Sequence, residues 1–295
     1  MKFLLTLFTI LATSSLFAQE EISVSLKLKS FALGEVPAFV VFIPQADYQK
    51  VIKSWEKYLK DTSKEKPLEK QGEIWMPNAS CEKIAAVPLQ LYSYIKEYDG
   101  EIMLVVAMDL EGNYISKDMD EEVYLPAKKF VRDFAVEAYK EAVKDELKEE
   151  EKILKKMEGE RNSLMNSKEA LVLENNQYER NIIATKDAIT LNQLDQSNKV
   201  VQLQAQKEFV LKLANAGEEE KEEASKVQKE LEKDFKKLQK ANESLYQDID
   251  NYELAIREND IKIAKLGAEI KYIQLDIEDQ TYKVRKVGEK LEKIH

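Results

Sequence analysis

The stretch IRENDIKIAKLGAEIKYIQLDIEDQTYKVRKVGEKLEKI, residues 256–294, decides the fold. Its apolar residues fall at Ile256, Ile263, Leu266, Ile270, Ile273, Ile277, Val284, Val287, Leu291 and Ile294, with Asn259 and Gln280 completing a strict alternation of three and four residues. That spacing puts every member on one stripe of an α-helix, and a stripe sustained this long needs a second helix to cover it. Upstream, Val227, Leu231, Leu238, Ala241, Leu245 and Tyr252 extend the alternation, with Asp234 and Asp248 as polar members. The step from Tyr252 to Ile256 is four residues where three is due, which reads as a phase slip.

The partner helix is sought on the N-terminal side. All six prolines (37, 44, 67, 77, 88 and 126) and both tryptophans lie in residues 1–126, and none follows Pro126. A proline costs a helix interior about 3 kcal/mol, so its absence from Ala127 to His295 permits very long helices. A first arm, 127–213, carries a rougher seam of Val143, Leu147, Leu154, Met157, Leu164 and Leu171, interrupted by Glu150, Arg161 and Lys168, with Gly159 as a candidate kink. Tyr178, Ile182 and Ile189 continue it into Leu194, Val201 and Val210. Gly217 supplies a helix stop, and Glu218, Glu219 and Glu220 suit the positive end of the next helix dipole. The expectation is an antiparallel coiled-coil hairpin over 125–295, with arms 127–213 and 218–294 and its tip near Gly217. Parallel self-association through the second arm is the alternative.

Residues 19–124 follow a different pattern. Ile22, Val24, Leu26 and Leu28 share one face of an extended segment, and Ala38–Ile43 is an unbroken apolar run ended by Pro44. Val51, Ile52, Trp55, Tyr58 and Leu59 form a helical stripe. A polar loop, Thr62–Gly72, leads to Glu73–Met76; Leu89, Leu91 and Ile95 mark a further strand, with Tyr92 and Tyr94 on its opposite face. Tyr98-Asp99-Gly100-Glu101 is a hairpin turn, and Ile102–Leu110 returns as a buried strand. This order predicts an α+β two-layer sandwich with a mostly antiparallel sheet, a ferredoxin-like variant among the candidates. Tyr92 and Tyr94 form either an exposed aromatic ledge for a partner or a layer under the long helix.

The chain opens with Lys2, an apolar run from Phe3 to Ala12, and the small residue Ala18 ahead of a polar stretch. This is the pattern of a signal peptide over 1–18, and it implies an exported protein, periplasmic or extracellular. No later run reaches the about 20 apolar residues of a membrane span.

Catalytic and cofactor chemistry finds little to work with. The only histidine is His295 and the only cysteine is Cys81, so a histidine-based triad, a disulfide framework and a multi-cysteine zinc site are excluded. With 45 basic and 55 acidic residues the net charge is −10, which disfavours nucleic acid. Asp118, Asp120, Glu121 and Glu122 begin with the spacing of a calcium loop but lack its glycine and closing glutamate, so they read as a solvated loop. Lys64, Lys66 and Lys70 read as a solvated basic turn, Cys81 as a free thiol, and no glycine-rich phosphate loop is present. No catalytic residue, cofactor, metal ligand or small-molecule substrate is assigned.

The whole-chain layout, from Leu16-Phe17-Ala18-Gln19 to the proline-free arms, resembles uncharacterised exported bacterial proteins in which a small sandwich precedes a long coiled coil. That resemblance implies the architecture and carries over no functional residues. The arms are also similar to those of periplasmic holdase chaperones with coiled-coil tentacles. The expected function is therefore a non-catalytic protein of the cell envelope, with the sandwich as partner-binding module and the coiled coil as spacer or oligomerisation element. A chaperone gripping unfolded clients is the alternative, and a carboxylate-dependent enzyme acting on glycans a remote one.

Overall fold

The computed structural model describes residues 22–63, 65–213 and 217–295. Residues 1–21, Lys64 and residues 214–216 lie outside them, so the signal peptide expected over 1–18 falls outside the described residues. The chain divides into two units: one takes the residues up to Ile153 together with Gln280–His295, the other Leu154–Asp279.

The first unit is built on one antiparallel sheet. Its strands are β1 (Val24–Phe31), β2 (Gly34–Ile43), β3 (Leu68–Lys70), β4 (Glu73–Ala79), β5 (Leu89–Tyr98), β6 (Glu101–Leu110) and β7 (Asn113–Tyr114), with α1 (Tyr48–Ser63) between β2 and β3. The order across the sheet is β1-β2-β6-β5-β4-β3, and β7 pairs with β6. The hairpin expected at Asp99-Gly100 joins β5 to β6, both turn residues having positive φ, as a two-residue turn requires. Gln71-Gly72 adopts the same turn, so the segment expected as a loop from Thr62 to Gly72 contains the short strand β3.

Helices cover one face of the sheet, as the two-layer expectation had it. Phe39, Val41 and Ile43 of β2, Leu89, Leu91 and Ile95 of β5, and Leu104, Val106 and Met108 of β6 meet Val51, Trp55 and Leu59 of α1. The long helix α2 (Glu121–Lys212) adds Phe130, Val131 and Phe134, and the end of α3 (Glu218–Glu292), with the residues just after it, adds Val287, Leu291 and Ile294. Trp55 is the centre of this layer: its ring packs 4.7 Å from that of Phe134, and its Nε1 donates to Ser93 Oγ at 2.8 Å. Ser93 Oγ in turn donates to the Ile74 carbonyl, so the Trp55 indole and the Ser93 hydroxyl are both paired. A ferredoxin-like sheet needs a second crossover helix returning to a strand. Here α2 is followed by α3 and no described strand comes after it, so the ferredoxin-like variant is not confirmed.

The expected helix start at Ala127, with Pro126 in a first turn, is corrected. The helix begins at Glu121, and Pro126 lies inside it. Asp120 starts it by accepting from the amides of Val123 and Tyr124. Arg132 donates to the carbonyl of His295 at 2.9 Å and to that of Ile22 at 3.2 Å, which fastens both ends of the described chain to the base of α2.

In the second unit α2 and α3 pack antiparallel. Gln206 donates to the Ala224 carbonyl at 3.0 Å, Gln196 to that of Leu238 at 3.3 Å, and Asn175 to Asp260 at 2.9 Å. Arg161 donates to Gln274 at 3.0 Å. The α3 seam thus faces α2 of the same chain.

The seam itself differs from the expected one. The side chains turned inward on α3 are Ala224, Gln228, Leu231, Phe235, Leu238, Asn242, Leu245, Ile249, Tyr252 and Ile256, which keep the three–four alternation without a slip. Val227, at 42% exposure, faces outward. On α2 the inward positions after Ile189 are Asn192, Gln196, Lys199, Leu203, Gln206 and Val210, whereas Leu194 and Val201 are 59% and 66% exposed. Gly159 does not interrupt α2.

Candidate functional site

The two faces of the sheet are unequal, and the second is where a site can be sought. Alternation along the strands turns Val36, Ala38 and Val40 of β2, Tyr94 of β5, and Met103, Val105 and Ala107 of β6 away from the helices. No described helix residue belongs to this second cluster.

Part of it is covered by the sheet's own hairpin. β2 pairs with β6 only from Phe39 to Ile43, while Gly34–Ala38 pairs with β1 alone, leaving a two-stranded arm. The Phe31 ring at the end of that arm lies 5.1 Å from the ring of Tyr94. β1 and β5 are separated by β2 and β6, a distance of about 14 Å in a flat sheet, so the arm must fold across the face. The amide of Ala32 then donates to Glu73 Oε1 on β4 at 2.8 Å, which latches it. Folding the arm away from the helix layer also explains Leu28, which is 67% exposed although it alternates with Val24 and Leu26.

Beyond the arm remains a ledge of half-buried aromatic rings. Trp75 of β4 and Tyr92 of β5 are paired in register and their rings stack at 6.1 Å with an interplanar angle of 7°. Tyr114 of β7 joins the same cluster. Tyr98, at 60% exposure, packs on Phe42 at the other end of β5. The rim is polar: Tyr92 donates to Gln90 at 2.8 Å, Asp109 accepts from the Gly112 amide at 2.7 Å, and the Lys96 ammonium lies over the Tyr94 ring. Burial raises the Tyr92 phenol above its ordinary range, and the neighbouring Tyr114 and Asp109 add to the shift. Tyr114 is raised by burial and by Asp109, and Tyr94 by burial and by Glu73. Neutral phenols on a partly desolvated ledge are suited to packing and hydrogen bonding. Of the two residues singled out from the sequence, Tyr92 stands on the ledge and Tyr94 beneath the arm; neither lies under the long helix.

The other sequence candidates are dispersed. Cys81 is buried, and desolvation pushes its thiol up to about 11, the opposite of what a reactive thiolate needs. Asp120, Glu121 and Glu122 belong to the start of α2, and Asp118 donates its amide to Ser116 Oγ in the preceding turn. Lys66 and Lys70 are exposed. Among the described residues no group of His, Cys, Asp or Glu is placed to hold a metal ion. A cleft between α1 and α2, lined by Asp47, Lys50, Glu141 and Asp145, has a volume of about 90 Å³. That is well under the roughly 300 Å³ of a small ligand pocket. Its Lys50–Asp145 ion pair at 2.9 Å is largely exposed and draws the carboxyl below its usual range.

Trp75 and Tyr114 were not singled out from the sequence. The turn at Glu111-Gly112 that brings Tyr114 beside Asp109 was the available signal. No described helix is long and apolar enough to cross a membrane. No protein-family model, no curated protein and no solved structure matches the chain.

Proposed function

We propose that the protein is a non-catalytic binding component of the cell envelope, exported by residues 1–18, whose sheet domain holds a protein partner on the Trp75–Tyr92–Tyr114 ledge. The antiparallel helices serve as its spacer. One observation carries the reading: the sheet face opposite the helices presents stacked, half-buried aromatic rings with a polar rim. Large rigid rings that retain a polar tip are the groups that contribute most at protein interfaces, because they bury much area at little conformational cost. The reading is further supported by the raised thiol of Cys81 and by the small size of the α1–α2 cleft, neither of which suits a reaction centre.

The test is site-specific photo-crosslinking in cells. A crosslinker in place of Tyr92 should give an adduct of one discrete mass, while one in place of the outward-facing Tyr272 should not. Equal adducts from both positions, or none from Tyr92 or Tyr98, would refute the ledge as a docking site.

A further inference from the structure

The second unit carries an outward stripe that neither its own seam nor the ledge uses. On α2, Ile183, Thr190, Leu194 and Val201 are exposed and fall in line along the helix, since steps of seven, four and seven residues return close to the same angle. Leu191 beside them is also exposed. Within the stripe's own span, residues 183–201, the charged residues are Lys186, Asp187, Asp195 and Lys199, which cancel, and Lys199 turns inward to within 3.9 Å of Asp234. The segment of α3 on the other side of the seam is the reverse, with charges at more than half of its positions from Glu218 to Lys240.

These features point to one occupant. The spacing seven–four–seven reads the same in both directions, so it is symmetric about position 192. A second copy of the chain related by a two-fold axis there would set Ile183 against Val201 and Thr190 against Leu194, in both directions at once. A two-fold interface places one patch against itself, and a charged patch would repel its own image. For a chain of net charge −10 this near-neutral stretch is well suited to self-contact. In the same alignment Asp187 meets Ser197 of the copy and is kept from its own image. We infer that α2 mediates a reversible antiparallel dimer through Ile183, Thr190, Leu194 and Val201, joining two helix pairs side by side. The exposed large apolar side chains of this stretch are only Ile183, Leu191, Leu194, Val200 and Val201, far fewer than the roughly 20–30 residues a side of a standard interface, so the association is weak and concentration-dependent rather than obligate.

The inference rests on the second unit alone and is independent of the ledge. Sedimentation equilibrium of the purified protein over the micromolar range should show a monomer–dimer equilibrium. Leu194→Glu with Val201→Glu should weaken it by about 100-fold or more, because each charge would be desolvated against apolar surface. A Leu194→Gln, Val201→Gln pair, measured alongside with its helix content, should weaken it in the same direction. Ile261→Glu, on the outward face of α3, should leave it unchanged. A monomer at every concentration, a dimer indifferent to both α2 pairs, or equal loss with Ile261→Glu would overturn the inference. Photo-crosslinking at Tyr92 reports on the other surface, so either result stands without the other.

Discussion

Ser93 lies where polarity in the sheet core is most consequential. It accepts from the Trp55 indole and donates to Ile74, so Ser93→Ala leaves a buried N–H unpaired. The expected loss is about 1–3 kcal/mol, measured by urea unfolding. Cys81 gives a second prediction. Its thiol should resist alkylation at neutral pH in the folded protein and react once the protein is unfolded, since only the thiolate is a nucleophile. Its folded pKa is raised from 9.0 to about 11, so the stabilising contribution is fully present below pH 9 and is lost as pH rises toward 11. Melting curves of the wild type against Cys81→Ala should diverge in slope across that window and run parallel below it.

The seam of the helix pair is decided by elements and not by single residues. The expected seam took Val227, Ala241, Leu194 and Val201, with Asp234 and Asp248 as polar members, and needed a phase slip to do so. The pairing instead keeps one alternation and accepts Gln228, Asn242, Asn192 and Gln196 as inward positions. Of these amides Gln196 hydrogen-bonds across the seam to the Leu238 carbonyl, Gln228 bonds to Glu232 on its own helix, and the Asn242 oxygen is buried without a partner, the cost that a polar seam position carries. Phe235→Ala should therefore cost about 1–2 kcal/mol, as loss of a half-buried ring, whereas Val227→Lys should change stability by less than about 0.5 kcal/mol. Thermal melts of the two variants decide between the two seams. Arg161 and Lys168 are inward positions that carry charge; the Arg161 Nε is buried without a partner, and Lys168 extends over Gly267. Replacing both by Leu should raise stability by about 1 kcal/mol or more, read from the same melts.

At the scale of the whole molecule the return of α3 closes the first unit. Leu291 and Ile294 pack into the core that α1, α2 and the sheet share, and His295 supplies the carbonyl acceptor for Arg132. Lys290 bridges to Glu146 at 3.1 Å and also reaches Gln45 at the surface, while Ile22 and Val24 share one core with Ile294. Deleting Leu291–His295 should destabilise this unit by about 2–4 kcal/mol, the scale of exposing two apolar side chains. Circular dichroism at 222 nm with a sheet-domain probe such as Trp55 fluorescence would register it. An unchanged transition would mean that the C-terminal turn is not part of the core.

The α+β layer, the long helices, their antiparallel return and the Asp99-Gly100 hairpin were legible in the sequence, because each depends on local spacing or on local backbone preference. Helical periodicity, proline placement and a turn needing positive φ are properties of neighbouring residues, and they survive without knowledge of the partner. The seam amides, the short strand β3 and the ledge were not legible, for a common reason. Gln196 becomes an inward residue only because a carbonyl of α3 lies opposite, and β3 exists only because β4 offers it a ladder. Tyr92 and Tyr94 read alike in sequence, two residues apart on one strand face. Only the fold of the β1–β2 arm across the sheet buries Tyr94 under Phe31 and leaves Tyr92 stacked on Trp75 at the open end, because that contact joins residues more than sixty positions apart.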